Sequence, residues 1–282
     1  LNDTTHYHHG CAKVIETFTF ENSIFTNRPV EVNFLEYSTV ILNGEGTMHH
    51  NQSNAIKFLQ ALKDAHKVGC DIQLVNTVWQ DMTNDYDEVL AKCSLIEVRD
   101  IISQQELKNK HGIKSDLVLD RSIRPNVPFQ DFAPVKVYQG NRFDSKVDSF
   151  NLNYPKIDIF KQDWNSIVNR LRHAQLLVTG RHHEAYAALK ARCKFIVLPG
   201  NTHKNEGIYL NAGVSPINSL DDIQEVNLSD DIFKIESQKD SAPQVKIIDD
   251  TPKPTPTQST INLSPSFSEE PKAKTFAEIQ NE

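Results

Sequence analysis

Three short segments hold most of the side chains able to do chemistry, and each follows an apolar, β-rich run. Asn43-Gly44-Glu45-Gly46-Thr47 comes after Val40-Ile41-Leu42. Its glycines are expected to let the backbone turn tightly and bring N–H groups close to an anionic ligand. No Gly-Lys-Ser/Thr follows, so this is not a Walker motif. Glu45 between the glycines would repel a phosphate, and a base or a partner for a sugar hydroxyl is the expected role. Thr179-Gly180-Arg181-His182-His183 occupies the equivalent place after Leu176-Leu177-Val178. Arginine offers a planar fork for a carboxylate or phosphate, and histidine exchanges a proton near neutral pH. The helix expected over 184–192 would add its dipole to anion binding there. After the next run, Asn201-Thr202-His203-Lys204 supplies a further cation, with Lys204 suited to a phosphate. Ligand-free explanations compete at each place: a plain turn at Glu45, solvated side chains at Arg181, His182 and His183, and a loop lysine at 204.

His6, His8 and His9 precede Gly10-Cys11 and a helix expected over 12–18. No fitting set of further ligands is evident along the chain, so a substrate-lining loop is expected here, with His9 on the acceptor side and no metal. His49-His50 is read in the same way. The four cysteines, Cys11, Cys70, Cys93 and Cys193, are far apart and are expected as buried free thiols. Arg99-Asp100 and Asp116 sit at strand boundaries and are expected to form ion pairs rather than to act directly in chemistry.

Alternating elements must position these groups. Val40-Ile41-Leu42, Ile72-Gln73-Leu74-Val75, Leu95-Ile96-Glu97-Val98 and Leu117-Val118-Leu119 read as strands of a parallel sheet. Between the first two, Ala55, Ile56, Phe58, Leu59, Leu62 and Ala65 recur at helical spacing, and Gly69 follows as the helix stop. Ser103-Gln104-Gln105-Glu106 resembles a capping box for a helix that Gly112 closes. The pattern breaks at 124–134 and starts again with Val135-Lys136-Val137-Tyr138, a helix over 164–174, the strand Leu176-Leu177-Val178, a helix over 184–192 and the strand Phe195-Ile196-Val197-Leu198. The reading is an α/β chain of two Rossmann-like lobes, 1–123 and 135–235, joined by the linker 124–134. Residues 236–282 are rich in Ser, Thr, Pro, Lys and Glu and are expected to be a disordered tail. The chain lacks an initiating Met and opens as though a strand had just ended, so a first β-strand is expected to precede it.

A net charge of -7 disfavours a nucleic-acid partner. No apolar run approaches the roughly 20 residues of a membrane span. The opening residues lack the parts of a signal peptide. A cytoplasmic location is expected, with peripheral membrane association left open.

The order of features resembles the polysaccharide pyruvyl transferase family. The matching pieces are His9-Gly10-Cys11-Ala12-Lys13-Val14-Ile15, Asn43-Gly44-Glu45-Gly46, Val98-Arg99-Asp100 with Ser103 and Leu107, Ser115-Asp116-Leu117, Gly180-Arg181-His182-His183 with Ala185 and Ala188, and Lys204 with Gly207. The resemblance implies a GT-B-like pair of lobes and transfer of a pyruvyl group from phosphoenolpyruvate to two sugar hydroxyls of a glycan acceptor, forming a ketal without a metal or other cofactor. On that reading Arg181 clamps the donor's carboxylate or phosphate and His183 is the general acid or base. His182, Lys204, Gly44 and Gly46 bind the donor, while Glu45 and His9 face the acceptor. Glu45 stands where many relatives have a glycine, and His9-Gly10-Cys11 replaces an Asn-x-Gly-Asp start.

Two other functions fit the same residues. A glycosyltransferase using a nucleotide-activated acidic sugar, of the sialic acid or 3-deoxy-manno-octulosonic acid type, also needs a carboxylate clamp, with Glu45 or Asp116 as catalytic carboxylate. A non-catalytic binding protein that presents its tail to a partner is the third.

Overall fold

In a computed structural model the chain is an α/β protein built on two parallel sheets. Residues 8–18, 20, 23–26, 28–141 and 153–211 are described. The expected disordered tail at 236–282, the last part of the expected second lobe and His6 lie outside them. The first sheet has the order β1-β2-β3-β4, formed by Thr39–Glu45, Asp71–Thr77, Leu95–Val98 and Asp116–Leu117. The second has the order β5-β6-β7, formed by Val135–Gln139, Ala174–Thr179 and Lys194–Val197. All neighbouring strands within each sheet run parallel, so within the first sheet each connection carries the chain back across a face.

The helices are α1 (His9–Ile15), α2 (Ser53–Lys67), α3 (Asp87–Leu90), α4 (Ile101–His111), α5 (Trp164–Arg172), α6 (His182–Ala191) and α7 (Lys204–Asn211). In α2 the 3.6-residue period places Ala55, Leu59, Leu62 and Ala65 on the buried stripe against Leu42, Ile72 and Leu74. Each such leucine contributes about 1.5–3 kcal/mol by leaving water. A second core, with Ile167, Val168, Leu171, Leu177, Phe195 and Ile196, fills the space between α5, α6 and the second sheet.

Several boundaries differ from the sequence reading. α1 begins three residues earlier than expected because His8 caps it, accepting from Cys11 N at 3.3 Å. α4 is capped by Asp100, whose Oδ1 accepts from Ser103 N at 2.8 Å, so the box expected at Ser103 does not form. Ser103 Oγ is committed elsewhere, accepting from Trp79 N and donating to Asp100 Oδ2, both at 2.8 Å. Gly112 closes α4 as expected, in the left-handed region that a side chain would strain. β1 extends through Gly44 and Glu45, which are strand residues rather than a turn after it. α6 starts at His182, so both histidines of the second motif belong to its first turn.

Candidate functional site

At the end of β6 the chain turns into α6 over Thr179, Gly180 and Arg181. Thr179 Oγ1 accepts from Arg181 N at 2.9 Å and donates to Glu184 Oε2 at 2.5 Å. Glu184 also accepts from Asn141 N at 2.8 Å and Asn141 Nδ2 at 2.9 Å, and it lies where a Cβ on Gly140 would have to sit. Burial pushes its carboxyl up to about 7, against these hydrogen bonds. The lock fixes the turn, and with it the three residues that follow.

Arg181, His182 and His183 are 2%, 4% and 6% exposed, which removes the reading of solvated surface side chains. The Arg181 guanidinium lies 4.6 Å over the Phe160 ring. His8 packs edge-on against both Phe160 and His183, with ring centres 5.6 Å and 4.8 Å apart. His182 packs against Tyr186 with the rings tilted and their centres 4.8 Å apart. Burial, followed by neighbouring positive groups, holds His8 and His182 well below the ordinary histidine range. His183 is lowered by burial in spite of Asp120 and Glu45. These imidazoles are therefore neutral near pH 7.

The first sheet brings a different set. Asp120 follows the last strand and is wholly buried, bonded through Oδ2 to Arg99 Nη1 and through Oδ1 to Ser122 N. The same Oδ2 lies 3.6 Å from His183 Nε2 and 3.9 Å from His182 Nε2. Burial opposes its charge, yet His183, Arg99 and His182 together hold the carboxyl well below the carboxylate range. Arg99 thus pairs with Asp120 and not with its neighbour Asp100, which caps α4 and lies 3.3 Å from His203. Asp116 is exposed where it opens β4.

Glu45 is buried, accepting from Asn43 Nδ2 at 3.2 Å and from the Cys11 thiol at 2.9 Å. It is Glu45, with φ +39°, that takes the left-handed conformation, so the expectation that the glycines make the turn is corrected. Gly44 is required for another reason: a Cβ there would collide with the Thr77 side chain of β2. Gly46 has room, and a Cβ on it would lie 3.8 Å from both Arg99 Nη2 and Lys204 Nζ.

Lys204 opens α7, which is tied to the loops of the first sheet. His203 N donates to Gln80 Oε1 at 3.0 Å, Ser103 Oγ meets His203 Nε2 at 2.9 Å, and Asn211 Nδ2 donates to Arg99 O at 2.8 Å. Gly207 sits directly on the Asp100 side chain. His49 faces the same region; burial first, then His50, Lys204 and His203, lower it to about 4.

Of the residues singled out from sequence, Arg181, His182, His183, Lys204, Glu45 and Gly46 share one neighbourhood. Gly44 is packed against β2, and His9 is exposed at the start of α1, its place in the cluster taken by His8. Sequence reading did not single out Asp120 or Phe160; it had placed Arg99 in an ion pair and Cys11 among the buried thiols without assigning either to the site. Asp120 directly follows the run Leu117-Val118-Leu119, and its position at a strand's carboxyl end was an available signal. No ligand set for the histidines was evident along the chain, and the structure brings one donor atom each of His8, Cys11 and His183 to within 4.8 Å of one another.

No protein-family model matches the chain, and no curated protein matches it. Among solved structures, an uncharacterized protein from Klebsiella pneumoniae is similar at 14% identity and a TM-score of 0.49, over 75% of this chain and 86% of that one. Among the described residues no helix is long and apolar enough to cross a membrane.

Proposed function

We propose that the chain is a transferase of GT-B-like arrangement that binds a small anionic donor between its two strand-end edges, moving a pyruvyl group from phosphoenolpyruvate to two hydroxyls of a glycan or glycan precursor. The observation that carries this reading is the meeting of Arg99 and Lys204 over Gly46, beside the buried Arg181-His182-His183 turn. Cations from both halves surround backbone with no side chain to block an anion, in a setting where burial strengthens each interaction.

Arg181, stacked on Phe160 and held at the N-terminus of α6, fits the donor carboxylate as a planar fork. Lys204 binds the phosphate. In the reaction, C2 of the donor gains bonds to two sugar oxygens and loses its bond to phosphate oxygen. C3 gains a proton and becomes a methyl group, and the second hydroxyl proton leaves with phosphate. A neutral, buried His183 accepts one of these hydroxyl protons, and the adjacent Asp120 carboxylate stabilises the imidazolium that forms. Glu45 faces the acceptor hydroxyl.

Glu45 also favours one second reading. A buried carboxylate at a strand end suits a glycosyltransferase that deprotonates its acceptor and takes a nucleotide-activated acidic sugar, with Arg181 on the sugar carboxylate. Thermal stabilisation by phosphoenolpyruvate and by cytidine nucleotides, in the wild type and in Arg181→Ala, separates the two. Pyruvyl transfer requires a shift with phosphoenolpyruvate that disappears in the variant. A shift with cytidine nucleotides alone overturns it in favour of the second reading.

A further inference from the structure

His8, Cys11 and His183 come from two helix starts that are far apart in sequence, yet their donor atoms lie within 4.8 Å of one another and all three residues are buried. Two imidazoles and a thiol are the ligand types that thiophilic divalent cations prefer. Bonds of roughly 2.0–2.3 Å to a single ion place ligand atoms about 3–4 Å apart, so the trio needs only small side-chain adjustments to close. Glu45 Oε2, 2.9 Å from Cys11 Sγ, stands where a fourth ligand or a hydrogen-bonding support would be. A second observation points the same way. His183 Nε2 is buried with no hydrogen-bond partner, a costly state for an imidazole nitrogen unless something meets that ring. The Cys11 thiol donates to the Glu45 carboxylate, so its sulfur already lies among polar groups.

We propose that His8, Cys11 and His183, assisted by Glu45, form a binding site for a zinc-like divalent cation. On binding, the Cys11 S–H bond breaks, a sulfur–metal bond forms, and the proton leaves through Glu45 to solvent. The thiolate, Glu45 and Asp120 supply negative charge against the nearby Arg99, Arg181 and Lys204. Because His183 also belongs to the proposed donor site, the cation and proton transfer by His183 exclude one another, and the metal acts there as an inhibitor. The site itself rests on its own geometry and stands whether or not pyruvyl transfer does.

Metal-free full-length protein titrated with Co2+ tests the proposal directly. Expected are one equivalent bound, the intense visible bands of four-coordinate cobalt, and a thiolate-to-cobalt charge-transfer band, all removed by one equivalent of Zn2+. Cys11→Ser must abolish the charge-transfer band, and His8→Gln must weaken binding by at least tenfold. Circular dichroism of each variant checks that it is folded. Absence of the charge-transfer band in the wild type, or its persistence in folded Cys11→Ser, overturns the site. The phosphoenolpyruvate melting shift is read without metal, so failure of the donor reading leaves this result untouched.

Discussion

The two strand-end edges reach the same neighbourhood by different routes. At the edge of the second sheet, Thr179, Arg181, His182, His183 and Glu184 lie in one continuous turn, and a single hydrogen-bonded lock through Glu184 and Asn141 orients all of them. At the edge of the first sheet, the groups come from four separate segments, Cys11, Glu45, Arg99 and Asp120, and each holds another through a side-chain contact across the fold. The first arrangement is local and survives small shifts between elements. The second exists only when β1, β3, the segment after β4 and α1 are all in place, so the first edge should be the more sensitive to loss of a single partner.

Asp120 is where that difference should be largest. Asp120→Ala leaves the Arg99 guanidinium buried without its carboxylate and removes the negative group beside His182 and His183. A cost of about 3–5 kcal/mol is expected for breaking one side of a buried pair. Urea unfolding reads it as a drop in midpoint, with the slope unchanged. Paired Arg99→Leu and Asp120→Leu should recover a large part of that loss while leaving ligand binding impaired. A double variant as unstable as Asp120→Ala would show that the ion pair is not the cause.

The second edge should instead reveal itself through pH. Glu184 in the folded chain keeps its proton up to about pH 7, whereas the unfolded carboxyl releases it near 4.5. Between those values the native state binds more protons than the unfolded one, so stability falls as pH rises. The group's contribution is full below pH 4.5 and is lost as pH rises toward 7, on the order of 3 kcal/mol in all. Glu184→Gln stays neutral and should flatten this part of the stability–pH curve. A wild type and variant with parallel curves between pH 5 and 7 would remove Glu184 from the account.

The same contrast explains how much the sequence revealed. The β-rich runs and the α2 stripe depend on local periodicity, and the structure places strands and a helix there, except that β4 ends at Leu117, leaving Val118 and Leu119 outside it, and β7 ends at Val197. The Arg181-His182-His183 turn was visible for the same reason, since its residues are adjacent. Asp120 was invisible as a partner of Arg99 because 21 positions separate them, and the nearer Asp100 offered a simpler pairing. Neighbour spacing also favoured Ser103 over Asp100 as the cap, although Ser103 Oγ is used by Trp79. The His8, Cys11 and His183 trio has no spacing signature at all, because the ligands meet only after α1 packs on α6. The exchange of His9 for His8 turns on which of two adjacent side chains faces inward, and α1 beginning at His9 rather than Ala12 decides it.

The two glycines that flank Glu45, Gly44 inside β1 and Gly46 just past its end, sharpen the comparison. In Gly44→Ala the new methyl group meets Thr77 on the neighbouring strand, and the overlap should cost about 1–3 kcal/mol with little direct effect on any ligand. In Gly46→Ala the methyl group makes ordinary van der Waals contact with Arg99 and Lys204, at 3.8 Å, so stability should change by less than about 0.5 kcal/mol. What it should remove is the room for an anion between those two cations. The expected result is a wild-type melting temperature without ligand and a much reduced shift with phosphoenolpyruvate. If Gly46→Ala keeps the full shift, the anion does not sit over Gly46, and the meeting of Arg99 with Lys204 no longer supports the donor site. If Gly44→Ala proves as stable as the wild type, β1 and β2 are not packed closely enough at Thr77 to hold Glu45 in its left-handed conformation.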